Sequence, residues 1–280
     1  MTPQQLILDV EGLFSLPEVY IKVREAVNNP KSSIEDVAFI VNQDPHSAAR
    51  LLKMVNSSFF GFETEINTVT RAITITGLTQ LHDLILATSA VRAFKGIASE
   101  LVNMKDFWLH SVYCAAMARI LARKSNVIDS ERLFVCGLLH DLGHLVIYAK
   151  CPELAGKVLV RAKQENRPIV MLEKEVLGFD YAEVGGELLK SWKLPPSLYE
   201  TVTNHVCLKA EGQFRLDAAI IHIANILVLQ EAQPKTGFLA PNLDLHALQM
   251  TGLNEEDLGS VKLEAKRAMA EIISLLFSKN

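Results

Sequence analysis

Cysteine is scarce and unpatterned in this chain. The 280 residues include four, Cys114, Cys136, Cys151 and Cys207, with no CxxC spacing. They lie in apolar surroundings, which points to buried free thiols in a reducing cytoplasm rather than a disulfide framework. Long hydrophobic runs are also lacking. The stretch 220–229 is interrupted by His222 and Asn225 and is about half the length needed to span a bilayer. The N-terminus has no basic region and meets acid at Asp9 and Glu11, so neither a membrane span nor a signal peptide is expected. A basic excess is missing too. The balance of 28 basic against 32 acidic residues gives a net charge of −4, which disfavours nucleic acid as the main partner. Arg50, Lys53 and Arg71 are too few to form a patch by themselves. There is no repeat, no low-complexity tract, no charge block, no strand–turn–strand series and no recognisable nucleotide-binding loop.

What is present is apolar residues at helical spacing. Hydrophobic residues make up 49% and charged residues 21%, enough for a buried core and too apolar for a disordered chain. Ile34, Val37, Ala38 and Val41 follow the i, i+3, i+4, i+7 pattern, and so do Ala48, Leu51, Leu52 and Val55. Leu109, Val112, Tyr113, Ala116 and Ile120 repeat it, as do Ala265, Ala268, Met269, Ile272 and Leu276. Ser15–Glu18 and Ser32–Glu35 read as capping boxes, Asp44-Pro45 as an N-cap with proline at the first helical position, and Asp180–Glu183 as another start. Pro152, Pro168 and Pro195 divide the later part into short helices. The Thr-rich segment 68–76 fits a strand by propensity and a short helix by its flanks. The expected fold is therefore all-α. The segment 94–103 is the expected join between an N-terminal helical lobe, 1–100, and a second helical lobe, 101–280, that ends in an amphipathic helix. That helix, 255–278, either covers the core or forms a homodimer face. The stretch 233–242 is the longest expected loop.

Histidine is the residue type with the most chemistry here. There are eight, and His110, His140, His144, His205 and His222 fall inside apolar segments between 110 and 222. The segment 129–148 reads as one helix with Val135, Leu138, Leu139, Leu142 and Val146 on its apolar stripe. A second stripe holds Cys136, Gly137, His140, Gly143 and His144. Two helical glycines cost about 1 kcal/mol each against alanine, so they imply either close approach of a neighbour or room around a bound ion. His140 and His144 stand at i, i+4, and His140-Asp141 offers nitrogen and oxygen ligands suited to a borderline or harder divalent metal. Helical bundles build metal sites from ligands on several helices, and His110, His205, His222 and Asn225 lie on others. Against this, a lone histidine on an apolar helix, such as His222, is more often a hydrogen-bonded core residue.

GLLHDLGHLVI, at 137–147, resembles the His-Asp motif of the HD phosphohydrolase superfamily. The N-terminal part resembles the HDOD branch of it more specifically. The residues that carry this are Leu16-Pro17-Glu18-Val19, then Asp44-Pro45 followed by Leu51-Leu52, and Asn56-Ser57-Ser58-Phe59-Phe60-Gly61. Arg71-Ala72-Ile73 leading to Gly77, and Glu183-Val184-Gly185 with Trp192 and Leu194-Pro195, extend it over roughly residues 12–230. The resemblance implies an HD-like helical bundle. It maps the superfamily's first metal-binding histidine to His110 and its His-Asp pair to His140 and Asp141. A lysine after that pair in di-metal members corresponds to His144. A histidine before the EVG motif falls on Tyr181, the later paired histidines on Asn204 and His205, and the last aspartate on Asn225.

The implied ligands are thus His110, His140, Asp141 and His205, an incomplete set that suits one divalent ion rather than two. His144, His222 and Asn225 are expected as supports or weak ligands. A two-metal phosphodiesterase needs both ions to clamp the attacking and leaving oxygens. The resemblance therefore favours a bacterial signal-transduction module without catalysis, acting through a protein partner. The alternative is a single-metal phosphohydrolase acting on a nucleotide or cyclic dinucleotide. Blander roles are preferred for Trp192 as a core anchor, Asn56 as a helix-end cap, Glu183 as a helix-start residue, and Arg132 and Lys190 as solvated cations.

Overall fold

The computed structural model describes residues 1–8, 14–62, 64–94 and 100–277. Among the described residues there are sixteen helices and no strand. Two compact units divide the chain, one of Phe14–Gly96 and Arg267–Asn280, the other of Met1–Leu13 and Ile97–Lys266. The expected join at 94–103 falls mostly on 95–99, outside the described residues, as do Asp9 and Glu11.

After α1 (Pro3–Leu8), which belongs to the second unit, the first unit is built from α2 (Glu18–Val27), α3 (Ile34–Asn42), α4 (Pro45–Val55), α5 (Val69–Thr76) and α6 (Leu78–Ala93). Helix α2 starts later than a Ser15 box requires: Pro17 is its N-cap, and no side chain caps it. A residue before proline is biased to extended backbone, so Leu16 cannot open the helix. Ser33 with Asp36, one residue on from the expected pair, forms the capping box of α3, each side chain accepting the other residue's backbone N–H. Asp44 caps α4 as expected, and its second oxygen accepts from Ser47 Oγ and from Arg92 Nη1 at 2.7 Å. The segment 68–76 is helical, with Thr68 as N-cap. Asn56 pins the chain after α4: its amide donates to Leu52 O and Ile66 O, and its oxygen accepts from Ile66 N.

The second unit is organised on α7 (Met104–Lys124), whose residues 111–122 are all buried, and on α14 (Arg215–Thr236), buried from Asp217 to Val228. Between them come α8 (Ser130–Leu139), α9 (Leu142–Lys150), α10 (Pro152–Glu165), α11 (Ile169–Leu177), α12 (Tyr181–Ser191) and α13 (Pro196–Asn204). Helix α15 (Leu245–Thr251) follows, and α16 (Glu255–Phe277) belongs to this unit as far as Lys266 and to the first unit from Arg267. The capping box of Asp180 and Glu183 opens α12, and prolines at 152, 168 and 195–196 mark the starts of α10, α11 and α13. The expected 233–242 loop is helical through Thr236, with Pro234 in the last turn and Gly237 left-handed at its end. Val261, Ala265, Ile272 and Leu276 of α16 are buried, so this helix covers core. Trp192 is buried at 8% exposure, while Arg132 is paired with Asp217 at 2.7 Å rather than solvated.

Three other expectations are corrected. The segment 129–148 is two helices, because His140 and Asp141 form a turn in which Asp141 has ψ 0°. Residues 130–150, not 220–229, contain an 18-residue window apolar enough by composition to cross a membrane, yet 72% of that window is buried inside the structure. Cys114, Cys136 and Cys151 are buried free thiols, but Cys207 is exposed.

The glycines of this region serve close approach. A Cβ at Gly137 would lie 2.7 Å from Ala115 Cα of α7, and one at Gly143 would lie 1.9 Å from the Tyr181 carbonyl oxygen of α12. Backbone meets backbone at both points, so neither contact can relax by a rotamer change. Gly143→Ala is expected to cost about 3 kcal/mol, the upper end of overpacking effects. Urea unfolding should show a lowered midpoint at an unchanged slope, and a midpoint equal to the parent's would remove the packing argument.

Candidate metal centre

The turn between α8 and α9 brings the His-Asp pair against α7. The Nδ1–H of His140 donates to Gly137 O at 2.7 Å, which fixes the tautomer and leaves Nε2 as an acceptor. That atom lies 3.3 Å from His110 Nε2. Two nitrogens each ~2.1 Å from one metal ion stand about 3.0–3.4 Å apart at octahedral to tetrahedral angles, so the spacing fits a shared ion. Asp141 completes the group: one ligand atom from each of His110, His140 and Asp141 lies within 4.8 Å of the others. Burial pushes the His110 pKa down to about 4 and lowers that of His140, so both rings are neutral near pH 7, and in the contact between them His110 Nε2–H donates to the His140 Nε2 lone pair. Burial alone would raise the pKa of Asp141, but the imidazoles of His144, His140 and His110 hold it well below the usual carboxylate range.

His144 lies on α9, beyond the turn that holds His140 and Asp141. Its Nδ1 donates to Asp141 Oδ1 at 2.7 Å, and its Nε2 lies 3.1 Å from Glu173 Oε1, an ion-pair contact without hydrogen-bond alignment. Burial works against a charged ring, but the carboxylates of Asp141 and Glu173 help hold its pKa well above the ordinary value. The ring is stacked between Tyr181, at 4.0 Å, and Tyr148, at 5.5 Å. His144 therefore places a buried cation between two carboxylates and leaves the second oxygen of Asp141 for a metal ion. Glu173, 1% exposed on α11, was missed by the sequence reading, and its other oxygen accepts the Tyr181 backbone N–H at 3.0 Å. The one available signal was an acid placed among the apolar residues of a helix.

Tyr181 links the remaining candidates. The Nδ1–H of His205 donates to Val202 O at 2.6 Å, and burial pushes its pKa down to about 3. Its Nε2 accepts from the Tyr181 hydroxyl at 3.1 Å, so both nitrogens are engaged. The Asn225 amide donates to the same hydroxyl oxygen at 2.9 Å, and Asn225 Oδ1 is buried with no hydrogen-bond partner among the described residues. His222 is engaged elsewhere. Its Nδ1–H donates to His205 O at 2.9 Å, and its Nε2 accepts from Asp244 N at 3.1 Å, joining the loop before α15 to α14. The structure thus gathers His110, His140 and Asp141, with His144 and Asn225 beside them. The His205 ring packs edge-on against His140, 5.3 Å between centroids, but both its nitrogens are hydrogen-bonded elsewhere, and both nitrogens of His222 are spent on backbone.

A buried ion pair that loses one partner strands the other charge, at a cost of about 3–5 kcal/mol. Glu173→Ala and His144→Ala are each expected to destabilise on that scale. The double variant should lose less than the two combined, by at least about 1 kcal/mol, because the charges belong to one network. Additivity in a urea double-mutant cycle would remove the pair.

The HDOD domain model matches residues 13–207 of the chain. A protein of Treponema pallidum (strain Nichols), described as uncharacterised, is 26% identical over 200 residues, 70% of this chain. The chain spans 38% of that relative's length. A Shewanella amazonensis structure, named only as a candidate phosphohydrolase, aligns with TM-score 0.72 at 24% identity, covering 97% of this chain and 96% of that one. A Marinobacter aquaeolei VT8 structure, named as a candidate signal transduction protein, aligns with TM-score 0.68 at 20% identity over 94% of this chain and 58% of that one. At these identities the two structures establish the fold. With the family match covering more than half of the residues, the chain belongs to the HDOD domain family.

Proposed function

We propose that the chain is a signal-transduction module that holds one divalent cation at His110, His140 and Asp141 and does not hydrolyse phosphoesters. The observation that carries this reading is the engagement of His205. With its Nε2 accepting the Tyr181 hydroxyl and its Nδ1 donating to Val202 O, the fourth residue of the expected ligand set is already satisfied, which leaves three protein ligands. Two neutral imidazoles and one carboxylate suit a borderline divalent ion such as Mn²⁺, Fe²⁺, Ni²⁺ or Zn²⁺. A lone ion lacks the partner that clamps the leaving oxygen in two-metal phosphoryl chemistry. The signal would pass to a protein partner, in a reducing cytoplasm where the four free thiols persist. A single-metal phosphohydrolase is the competing reading. It is supported by the same three ligands and by the name of the Shewanella relative.

Elemental analysis after reconstitution with these four metals is expected to find one ion per chain, reduced to background by Asp141→Ala. Bis-p-nitrophenyl phosphate and cyclic dinucleotides should not be turned over by the loaded protein. Turnover abolished by Asp141→Ala would establish the hydrolase instead, and absence of any stoichiometric metal would end the cation reading.

A further inference from the structure

Helices α10 and α11 carry a small core of their own. Val158, Ala162 and Leu172 are buried together, with Ile169, Val176 and Phe238 packed against them. At 3.6 residues per turn, Ala155, Val158 and Ala162 form the inward side of α10. Gly156 and Val160 fall on another side, with Lys157 and Arg161 next to them. These four residues and Val176 of α11 line an open groove of ≈ 470 Å³. Val160 is 54% exposed, and Leu154 and Met171 of the same two helices are exposed as well. Gly156 has no steric reason to be glycine within this chain. Its φ is not left-handed, and a Cβ there would meet only the Leu101 side chain, at an ordinary 3.9 Å. Gly137 and Gly143, by contrast, are held by backbone contacts shorter than 3.0 Å. Alanine at 156 would favour the helix. What glycine provides instead is backbone open to the groove, the kind of surface on which another backbone can lie closely.

Charge along the groove has one sign. Arg161 Nε and Nη2 donate to Glu165 at 2.6 and 3.3 Å, and Nη2 also donates to Glu175 at 3.1 Å. Arg167 is tied to the same two glutamates, so these two arginines and two glutamates balance. Arg161 Nη1 keeps its N–H groups unbonded among the described residues. Lys157, four residues before Arg161, has neither a hydrogen bond nor an ion pair among them. No acidic residue lines the groove, although the chain as a whole carries a net charge of −4. The surface therefore matches an occupant with aliphatic groups flanked by carboxylates. A lipid headgroup layer is the poorer match, because membrane surfaces are held by clusters of roughly 4–8 basic residues and a single uncompensated lysine stands here.

We propose that the groove between α10 and α11 is a docking surface for an acidic amphipathic helix of a partner protein, with the helix lying on Gly156, its aliphatic side chains on Val160 and Val176, and its carboxylates on Lys157 and Arg161. The inference rests on the signalling reading above and names the surface and the kind of partner. It follows the helix-in-groove mode, in which apolar anchors spaced at i, i+3 or i+4, and i+7 enter a hydrophobic groove and flanking charges set the orientation. The Glu165 and Glu175 carboxylates act as positioning groups, since they hold the Arg161 guanidinium by Nε and Nη2 and leave Nη1 for the partner.

The full-length protein is used to select from a displayed library of helical peptides with randomised surface positions. Enriched peptides are expected to be net acidic, with aliphatic residues at i, i+3 or i+4, and i+7. The best of them is then titrated by fluorescence anisotropy against the parent and two variants. Gly156→Ala is expected to raise the thermal midpoint and yet weaken the peptide about 10-fold or more, opposite signs that a merely structural role for the glycine does not give. Lys157→Glu, on an exposed position, should weaken the same peptide to a similar extent and bind a version with its acids changed to lysine better than the parent does. Enrichment of neutral or basic peptides, no enrichment at all, or affinity within twofold of the parent in both variants overturns the proposal. So does either rival occupant: cosedimentation with phosphatidylglycerol vesicles that Lys157→Glu abolishes, or self-association in sedimentation velocity that Gly156→Ala abolishes. Failure of the signalling reading shows separately, as phosphoester turnover by the metal-loaded protein.

Discussion

Two contacts without side chains set the geometry of the larger unit. At Gly137 the backbone of α8 lies against Ala115 of α7, and at Gly143 the backbone of α9 lies against the first turn of α12. The first brings His140 within reach of His110. The second brings Asp141 and His144 beside Tyr181. Each glycine costs about 1 kcal/mol of helix propensity, which the packing of whole helices readily offsets. The choice between a tight approach and room for an ion is resolved by division of labour. The glycines take the approach, and the polar groups of His140, Asp141 and His144 stand beside them.

The polar interior follows the rule that a buried group needs a partner, and most partners here are backbone atoms. His140 is fixed by Gly137 O, His205 by Val202 O, and His222 by His205 O and Asp244 N. Each histidine thereby loses one degree of freedom and acquires a defined tautomer. Only His144 spends both nitrogens on carboxylates, and it is the histidine whose charge is retained. The cluster is in this sense two-sided: the neutral rings of His110 and His140 on one hand, and the charged ring of His144 on the Asp141 carboxylate on the other.

Much of the fold was legible because its signals are local. Asp44-Pro45 and Asp180–Glu183 are read within four residues, and both cap as expected. Ser15 failed because Pro17 dictates where α2 begins, and Ser32 lost to its neighbour Ser33, a difference of one position that pattern alone does not resolve. The break at His140 and Asp141 was hidden because the apolar stripe continues across it. The structure brings together His110, His140 and Asp141, which the resemblance singled out, whereas Glu173 and the hydroxyl of Tyr181 had no such signal. Their meaning depends on partners eight to forty-four residues away, and spacing along one helix carries no information about that.

Cys207 is the exposed member of a set whose other three thiols are buried, and it lies two positions after His205, just past the end of α13. Thiolate reactivity depends on access, so a maleimide dye added to the native protein would attach there selectively. The chain thus carries its own attachment point for a fluorescent reporter two residues from His205, placed by the fold and requiring no engineered residue.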